Sequence, residues 1–244
     1  MATHITAGRG TRPLPDENPC VACEVREFAV CGALDPEELA QLSALMTQVM
    51  VEAQGTVLCE GDPATFLFNI VEGTIRVHKL LPDGRRQITG FLYPGDFLGL
   101  AVHDSYAYSA EAITDSRLCR FPRDDFYTLM RQMPRLEQRL LGMASNELIE
   151  AQDQILLLGR KTAQEKIASF FLMISRRAAR RGQPENPIHL PMGRTDIADF
   201  LGLTTETVSR TFTQLKTSHV IRLLENSQVL LADQGALSSI AQGQ

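Results

Sequence analysis

The 244-residue sequence has no long apolar run. No segment approaches the roughly 18 consecutive apolar residues of a membrane-spanning helix. The N-terminal stretch "MATHITAGRGTRPLPDENP" lacks the apolar core of a secretion signal. These absences predict a cytoplasmic protein. The 44% apolar content is ordinary for a globular chain that buries one large core or two smaller ones.

The sequence also has little that points to an enzyme. Its histidines follow no recognisable catalytic spacing; they are His4, His78, His103, His189 and His219. A thiol or iron-sulfur enzyme, or an electron carrier, is a competing class, but it needs a substrate pocket and a base. We therefore predict that the protein is not an enzyme.

Acidic residues outnumber basic ones by 29 to 24, and the resulting net charge of -5 taken alone argues against nucleic acid. The distribution is uneven, however. From Arg160 to the end there are 11 Lys and Arg against 7 Asp and Glu, a net +4, which leaves -9 for the first 159 residues. This asymmetry indicates a polyanionic partner for the C-terminal part.

The cysteines are poor candidates for structural disulfides. There are five, an odd number, in a chain expected in a reducing compartment. Cys20, Cys23 and Cys31 lie within twelve positions, and this clustering indicates metal or redox chemistry. Cys59 has no cysteine near it in sequence, and we predict that it is a buried free thiol.

The pattern of helix and strand signals along the chain predicts an α+β fold. "DPEELAQLSALM" begins with Asp35 at an N-cap and Pro36 at the first helical position, so we expect a short helix. From about Val51 to Phe121, short apolar runs alternate with turn signals, including Asp83-Gly84 at a hairpin. This pattern predicts a small rolled β domain. A second helix, "KTAQEKIASFFLMISRRAARR", precedes the loop "GQPENP".

A long helix is expected between the β region and that second helix. Apolar or small residues recur at alternating steps of three and four, which is a heptad seam. Such a seam favours pairing with the helix of an identical chain, although an amphipathic helix packed on its own β domain remains an alternative. The predicted dimerisation residues are Leu141, Ala144, Leu148, Ala151, Ile155 and Leu158.

The C-terminal segment "RTDIADFLGLTTETVSRTFTQLK" predicts a helix-turn-helix. Thr195 is the expected cap of the first helix, Gly202 permits the turn, and Thr204 caps the second helix. The expected buried residues are Ile197, Ala198, Phe200 and Leu201 in the first helix and Val208, Phe212 and Leu215 in the second. A strand hairpin about Asn226-Ser227 would form a wing.

Four residues of the second helix lie off the buried stripe, near the N-terminal end that a recognition helix presents to the major groove: Thr205, Glu206, Ser209 and Arg210. Arg can donate two hydrogen bonds to guanine, Glu can accept from cytosine, and Ser or Thr suits either kind of edge. Taken singly, each has a structural explanation, such as an ion pair between Glu206 and Arg210. Together they predict binding to double-stranded DNA.

The motif "ETVSRTFTQLK", with the β domain and the seam helix before it, closely resembles the cyclic-AMP receptor protein/fumarate-nitrate reductase regulator (CRP/FNR) superfamily. The E-x-x-S-R pattern is similar to its FNR-like, FnrN/FixK-type branch. The resemblance implies a β-roll sensor domain like those that bind cyclic nucleotides, a long dimerisation helix and a winged helix-turn-helix. It assigns residues 1–33 to a cysteine segment, 34–132 to the sensor, 133–160 to the dimerisation helix and 161–244 to the DNA-binding domain.

The resemblance also implies a function. Members of this branch act as homodimers on a palindrome resembling TTGAT, four spacer bases, ATCAA, and contact RNA polymerase; residues 80–87, "LLPDGRRQ", are a candidate contact loop. In nucleotide-binding members, a glutamate after F-x-G and an arginine before S-A hold the cyclic nucleotide. Leu100 and Tyr108 stand there in this sequence. Burying a cyclic phosphate without its cationic partner is costly, so we expect no cyclic nucleotide.

For the cysteines, the resemblance implies an oxygen-labile 4Fe-4S cluster. Cys119, in "SRLCRF", would be the fourth ligand beside Cys20, Cys23 and Cys31. Soft sulfur donors suit iron-sulfur clusters and zinc alike. The flanking apolar residues that would shield such a site are Val21, Val25, Phe28 and Val30. The expected function is an oxygen-responsive anaerobic activator; a zinc site, a thiol-redox site and a constitutive regulator without a cluster remain alternatives.

Overall fold

The computed structural model describes residues 19–100 and 104–244. Residues 1–18 of the expected cysteine segment, and His103, lie outside the described residues. By its contacts the chain divides into two compact units: the described residues of Met1–Lys79 and Thr89–Glu147 form the first, and Leu80–Ile88 and Leu148–Gln244 form the second. None of the helices in the described ranges combines the length and the apolar composition of a membrane-spanning segment.

The first unit begins with turns, a 3-10 helix and a short α-helix. The 3-10 helix spans Val30–Ala33 and α1 spans Pro36–Leu45. Asp35 caps α1 by accepting hydrogen bonds from the backbone N–H groups of Glu37 and Glu38, while the Glu38 side chain accepts one from the Asp35 N–H. This reciprocal cap, together with Pro36 at the first position, confirms the predicted helix start.

Eight antiparallel strands then form the β region. They are β1 (Thr47–Val51), β2 (Thr56–Leu58), β3 (Phe66–Glu72), β4 (Ile75–Leu80), β5 (Arg86–Leu92), β6 (Phe97–Leu98), β7 (Ser109–Ala112) and β8 (Ser116–Pro122). They make two four-stranded sheets, in the orders β1-β8-β3-β6 and β2-β7-β4-β5. The hairpin predicted at Asp83-Gly84 joins β4 to β5, and Gly84 has the positive φ of 84° that this turn requires.

The sheet that contains β3 and β8 has two apolar faces. Phe68 and Leu118 face a core cluster inside the β region, whereas Leu67 and Phe121 face a second cluster shared with α1 and the helices that follow. These helices are α2 (Arg123–Met130) and α3 (Pro134–Arg160). Alternation along each strand produces the two faces, because successive side chains point to opposite sides of a sheet.

The second unit contains the remaining helices and a three-stranded sheet. Its elements after α3 are α4 (Ala163–Arg180), β9 (Ile188–His189), α5 (Arg194–Leu201), α6 (Thr205–Thr217), β10 (Ile221–Leu223), β11 (Gln228–Leu231) and α7 (Gln234–Ala241). The strands are ordered β10-β11-β9, so the predicted wing hairpin carries a third strand that the sequence pattern did not indicate. Asn226 and Ser227 turn this hairpin with φ values of 53° and 57°.

The hairpin segment Leu80–Ile88 belongs to this second unit because its side chains contact α5. The Arg86 guanidinium donates to the carboxylates of Asp196 and Asp199 at 2.7 and 2.9 Å. The Gln87 amide donates to the Asp199 carbonyl oxygen at 2.7 Å. Two residues of the candidate RNA polymerase loop are thus engaged within the chain, while Arg85 pairs with its neighbour Asp83 at the exposed turn.

Candidate cysteine site and candidate DNA interface

The three N-terminal cysteines lie on a chain of tight turns. The Arg26 N–H donates to the Cys23 carbonyl oxygen at 3.2 Å, and the Ala29 N–H donates to the Val25 carbonyl oxygen at 3.0 Å. The segment then enters the 3-10 helix that contains Cys31. Local backbone bonds therefore fold the polypeptide between Cys23 and Cys31 into a compact loop.

This loop packs closely on the rest of the first unit. Gly95, in the turn before β6, has a φ of +96°, and a Cβ placed on it would lie 2.8 Å from the Cβ of Phe28. Only glycine permits that approach. From α3, the Arg139 guanidinium donates to the carbonyl oxygens of Glu27, Phe28 and Ala29 at 3.0, 2.8 and 3.3 Å. Sequence reasoning missed Arg139, because the contact spans 110 residues.

Cys119 comes to the same place from the middle of β8. Cys20, Cys31 and Cys119 all pack against the apolar cluster that includes Val30 and Phe121. Cys20 is also hydrogen-bonded to Ser43 of α1. The structure thus brings Cys119 to the same apolar cluster as Cys20 and Cys31, although Cys20 and Cys119 are 99 positions apart in the sequence.

The thiols also affect one another electrostatically. Burial, with smaller contributions from the nearby Cys20 and Cys23, raises the pKa of Cys31 to about 11. Burial raises the pKa of Cys119 to about 12, with contributions from Cys20, Cys23 and Cys31. All four groups therefore lie close enough to interact. Metal binding would have to displace protons from these buried thiols, as is usual for thiolate ligands.

The donor set suits an iron-sulfur cluster or zinc, since both are held by four thiolates. In the described residues, however, no group of three or more Cys, His, Asp or Glu side chains is arranged so that it could already hold a metal ion. The fit of the four thiols to either group therefore rests on their donor chemistry. A buried polar atom, Asn69 Oδ1 on β3, has no hydrogen-bond partner in the described part of the chain.

Two expectations about this region were wrong. Cys59 is exposed, not buried, because β2 ends at Leu58 and the cysteine lies in the following turn. Val21 does not shield the thiols, since 67% of it is exposed. By contrast, Val30 is fully buried, and Val25 and Phe28 are partly buried.

The predicted helix-turn-helix is formed by α5 and α6. All seven residues expected in its core are buried. Gly202 makes the turn with a φ of 59°, and the Thr204 hydroxyl accepts a hydrogen bond from the Thr207 N–H. The first cap was predicted wrongly. The helix α5 begins at Arg194 with Gly193 at its N-cap, so Thr195 lies within the first turn.

Two basic residues outside the predicted set hold this motif together. The Arg194 guanidinium lies 3.3 Å from the centre of the Phe212 ring, and burial lowers the pKa of Arg194. The buried Lys166 ammonium of α4 donates to the carbonyl oxygen of Leu201 at 3.1 Å, which satisfies a free carbonyl at the end of α5. These contacts fix α5 relative to α6 and α4.

The four candidate base-reading residues, Thr205, Glu206, Ser209 and Arg210, are all exposed in the first half of α6. The exposed surface continues along the helix as a shallow groove lined by Arg210, Thr213, Gln214, Thr217 and Ser218. Sequence reasoning named only the first of these five. A polar surface of this kind, with an arginine near the helix start, has the donors and acceptors that base edges require.

The candidate dimerisation residues lie along α3. Leu141, Leu148 and Ile155 are 66%, 62% and 69% exposed, and Ala151 is exposed with them. Ala144 is half-buried, and Leu158 is half-buried beside Gly202. Two further exposed apolar residues, Ile149 and Leu156, were not predicted. The single chain therefore leaves a row of large apolar side chains uncovered on this helix.

At the two positions where nucleotide-binding members carry a glutamate and an arginine, this chain has side chains that are apolar or are hydrogen-bonded within the chain. Leu100 packs against the apolar cluster that includes Phe97. The Tyr108 hydroxyl accepts a hydrogen bond from the Gly99 N–H at 3.0 Å, and burial raises the pKa of Tyr108 to about 12. Neither side chain offers a cation to a phosphate.

Comparison with known proteins agrees with this architecture. Residues 48–133 match the family model of the cyclic nucleotide-binding domain, and residues 165–240 match that of the Crp-like helix-turn-helix domain. The nitrogen fixation regulation protein FixK of Bradyrhizobium diazoefficiens is 42% identical over 217 residues, 89% of this chain and 92% of that protein. The chain belongs to the Crp/FNR family. It is a DNA-binding transcription regulator with the predicted α+β fold.

Other Crp/FNR relatives support the same assignment. The transcriptional activator protein FnrL of Cereibacter sphaeroides is 41% identical over 218 residues, which cover 88% of each chain. The solved structure of FixK2 from Bradyrhizobium japonicum matches with a TM-score of 0.74 at 36% identity, covering 80% of this chain and 96% of that one. The fold and the family predicted from the sequence are thus confirmed.

Proposed function

We propose that this protein is a cytoplasmic, oxygen-responsive transcription activator. Without oxygen, Cys20, Cys23, Cys31 and Cys119 would hold a 4Fe-4S cluster. The observation that carries this proposal is the position of Cys119: its thiol packs against the same apolar cluster as Cys20 and Cys31, and the nearness of Cys20, Cys23 and Cys31 helps to raise its pKa. A bound cluster would supply an oxygen-labile cross-link between the N-terminal loop and β8.

The protein's own contacts support a route from this site to the dimer helix. Arg139 ties the loop between Cys23 and Cys31 to α3. The same helix carries the exposed row of Leu141, Leu148 and Ile155. We propose that two chains pair along this row, because a second copy would cover apolar side chains that a single chain leaves in water.

The paired chains would bind a palindrome resembling TTGAT, four spacer bases, ATCAA. Two recognition helices related by a twofold axis would enter successive major grooves about one DNA turn apart. The exposed Glu206, Ser209 and Arg210, with Thr205, would read the bases, and the bound dimer would contact RNA polymerase. Loss of the cross-link in air would release the DNA.

The test is to purify the full chain under nitrogen and to measure its iron, sulfide and zinc contents, its visible spectrum and its DNA binding before and after exposure to air. We expect iron and sulfide in equal amounts, a broad visible absorption that bleaches in air, and a parallel loss of operator binding. Cys23→Ser should lack the iron and sulfide, the visible absorption and the operator binding. Cys59→Ser is the matched control and should change none, because Cys59 is exposed and lies outside the site.

Other outcomes would favour the alternatives. A colourless protein with one zinc per chain would reject the cluster in favour of a zinc site. A metal-free protein whose DNA binding responds to reductant would indicate thiol chemistry. Equal DNA binding by wild type and Cys23→Ser, with and without air, would identify a constitutive regulator.

A further inference from the structure

The four-stranded sheet places two amide side chains on either side of Cys119. In the strand register, Cys119 of β8 is directly opposite Gln48 of β1 on one side and Asn69 of β3 on the other. Directly paired residues on antiparallel strands point to the same face of a sheet. Both amides therefore share the face that carries the Cys119 thiol.

The two amides differ in their access to water. Gln48 is exposed, whereas Asn69 is 4% exposed. Asn69 is paired on its far side with Phe97, a member of the apolar cluster that packs against Cys20, Cys31 and Cys119. Asn69 is thus a polar side chain within an apolar wall next to a candidate metal ligand.

The hydrogen-bonding capacity of Asn69 is largely unused. Its Nδ2 donates to the carbonyl oxygen of the adjacent Ile70 at 3.2 Å, and its Oδ1 has no partner in the part of the chain that the structure describes. A buried polar atom without a partner is destabilising. Valine or threonine, which suit strands, would avoid most of this cost. An amide at this position therefore needs another explanation.

We propose that Asn69 is a positioning residue of the cysteine site that donates a hydrogen bond from its amide to a sulfur atom of the bound cluster, beside Cys119. This inference rests on the proposed function. The amide can turn about its Cβ–Cγ bond and exchange the places of its oxygen and nitrogen, so that an N–H group faces sulfur. Hydrogen bonds to sulfur help to set the reduction potential and stability of such clusters.

The direction of the effect follows from charge. An N–H donor stabilises negative charge on sulfur, so it favours the more reduced state of the cluster. Removing the donor lowers the midpoint potential and makes the cluster easier to oxidise. In the metal-free protein there is no cluster sulfur to accept this hydrogen bond. There, removal of the amide relieves a buried polar group and raises the stability of the fold.

The test compares Asn69→Val with Asn69→Thr in the full chain. The two side chains have nearly the same shape, and only threonine keeps a hydroxyl donor. With equal iron and sulfide contents, we expect the cluster of Asn69→Val to bleach in air at least threefold faster than wild type, with a lower midpoint potential. Asn69→Thr should lie near wild type. The urea midpoint of the metal-free Asn69→Val protein should rise.

Gln48→Leu is the control, since it removes the exposed amide on the other side of Cys119 and should leave bleaching unchanged. Equal bleaching rates for the valine and threonine variants would overturn the inference, as would a fall in metal-free stability for Asn69→Val. If wild type itself lacks iron and sulfide, the proposed function fails first. If wild type holds the cluster and the variants match it, only the role of Asn69 fails.

Discussion

The Arg139 guanidinium donates a 2.8 Å hydrogen bond to the carbonyl oxygen of Phe28. The same group reaches the carbonyl oxygens of Glu27 and Ala29, so a single side chain of α3 satisfies three consecutive peptide groups. Charged donors make the stronger protein hydrogen bonds. The cysteine loop is therefore attached to α3 through its backbone, whatever side chains the loop carries.

Replacing Arg139 by Ala should loosen this loop. We expect a loss of about 1 to 3 kcal/mol in unfolding free energy, because several hydrogen bonds from a charged group disappear at a half-buried site. Urea denaturation measures that loss, and faster amide hydrogen exchange across residues 26–32 would locate it. Arg135→Ala is the control, since Arg135 lies one turn earlier, is exposed, and makes a long ion pair of 3.8 Å to Asp35, outside the cysteine loop. Equal exchange in both variants would contradict the attachment.

Replacing Leu148 by Glu should prevent dimer formation with little effect on the single chain. Leu148 is 62% exposed, so its loss removes little packing, but a carboxylate facing its twin across a paired helix is strongly unfavourable. Sedimentation equilibrium measures the assembly, and we expect at least a tenfold weaker association and a matching loss of operator binding.

Asn146→Glu provides the control for Leu148→Glu. It adds the same charge to the same helix, but two residues away and thus on the opposite side. Asn146 is exposed, so the change is tolerated in a single chain. Dissociation of both variants to the same extent would indicate that helix charge, rather than the apolar row, controls assembly.

Local chemistry made much of the fold predictable. The Asp35 cap, the Gly202 turn and the helical spacing of Val208 and Phe212 are set by residues a few positions apart, and each appeared in the structure as predicted. Element boundaries were less secure, as shown by α5, which begins one residue before Thr195. The exposure of Cys59 depends on where β2 ends, and the apolar pattern of the sequence there did not reveal that end.

The features around the cysteine site depend on contacts between distant residues. The placement of Asn69 opposite Cys119 follows from strand register across 50 positions, and a shift of one residue would have put the amide on the other face. The bonds from Arg139 to the cysteine loop cross more than 100 positions. No local periodicity encodes such pairs, so the single sequence could indicate the four thiols but not the residues that surround them.

Cyclic AMP should not stabilise this protein, although residues 48–133 match the cyclic nucleotide-binding domain model. Tyr108 is bonded to Gly99 and Leu100 is packed against apolar side chains, so neither can neutralise a cyclic phosphate. Thermal denaturation in millimolar cyclic AMP should give the same Tm as without ligand. Because a ligand at about 100 times its Kd adds about 2.7 kcal/mol of stability, a clear rise in Tm would refute this expectation.

Arg210 provides the most direct test of base reading. Its side chain is exposed in the first half of α6. Replacing it by Ala should cost about 1 to 3 kcal/mol in operator binding and relax the preference at one base pair of each half-site. Binding assays on operators with every single-base change measure both effects.

Lys216→Ala, in the last turn of the same helix, is the control for loss of charge, and we expect it to leave base preference unchanged. If Arg210→Ala instead weakens binding equally on all operators and lowers the salt dependence, Arg210 contacts phosphate rather than a base.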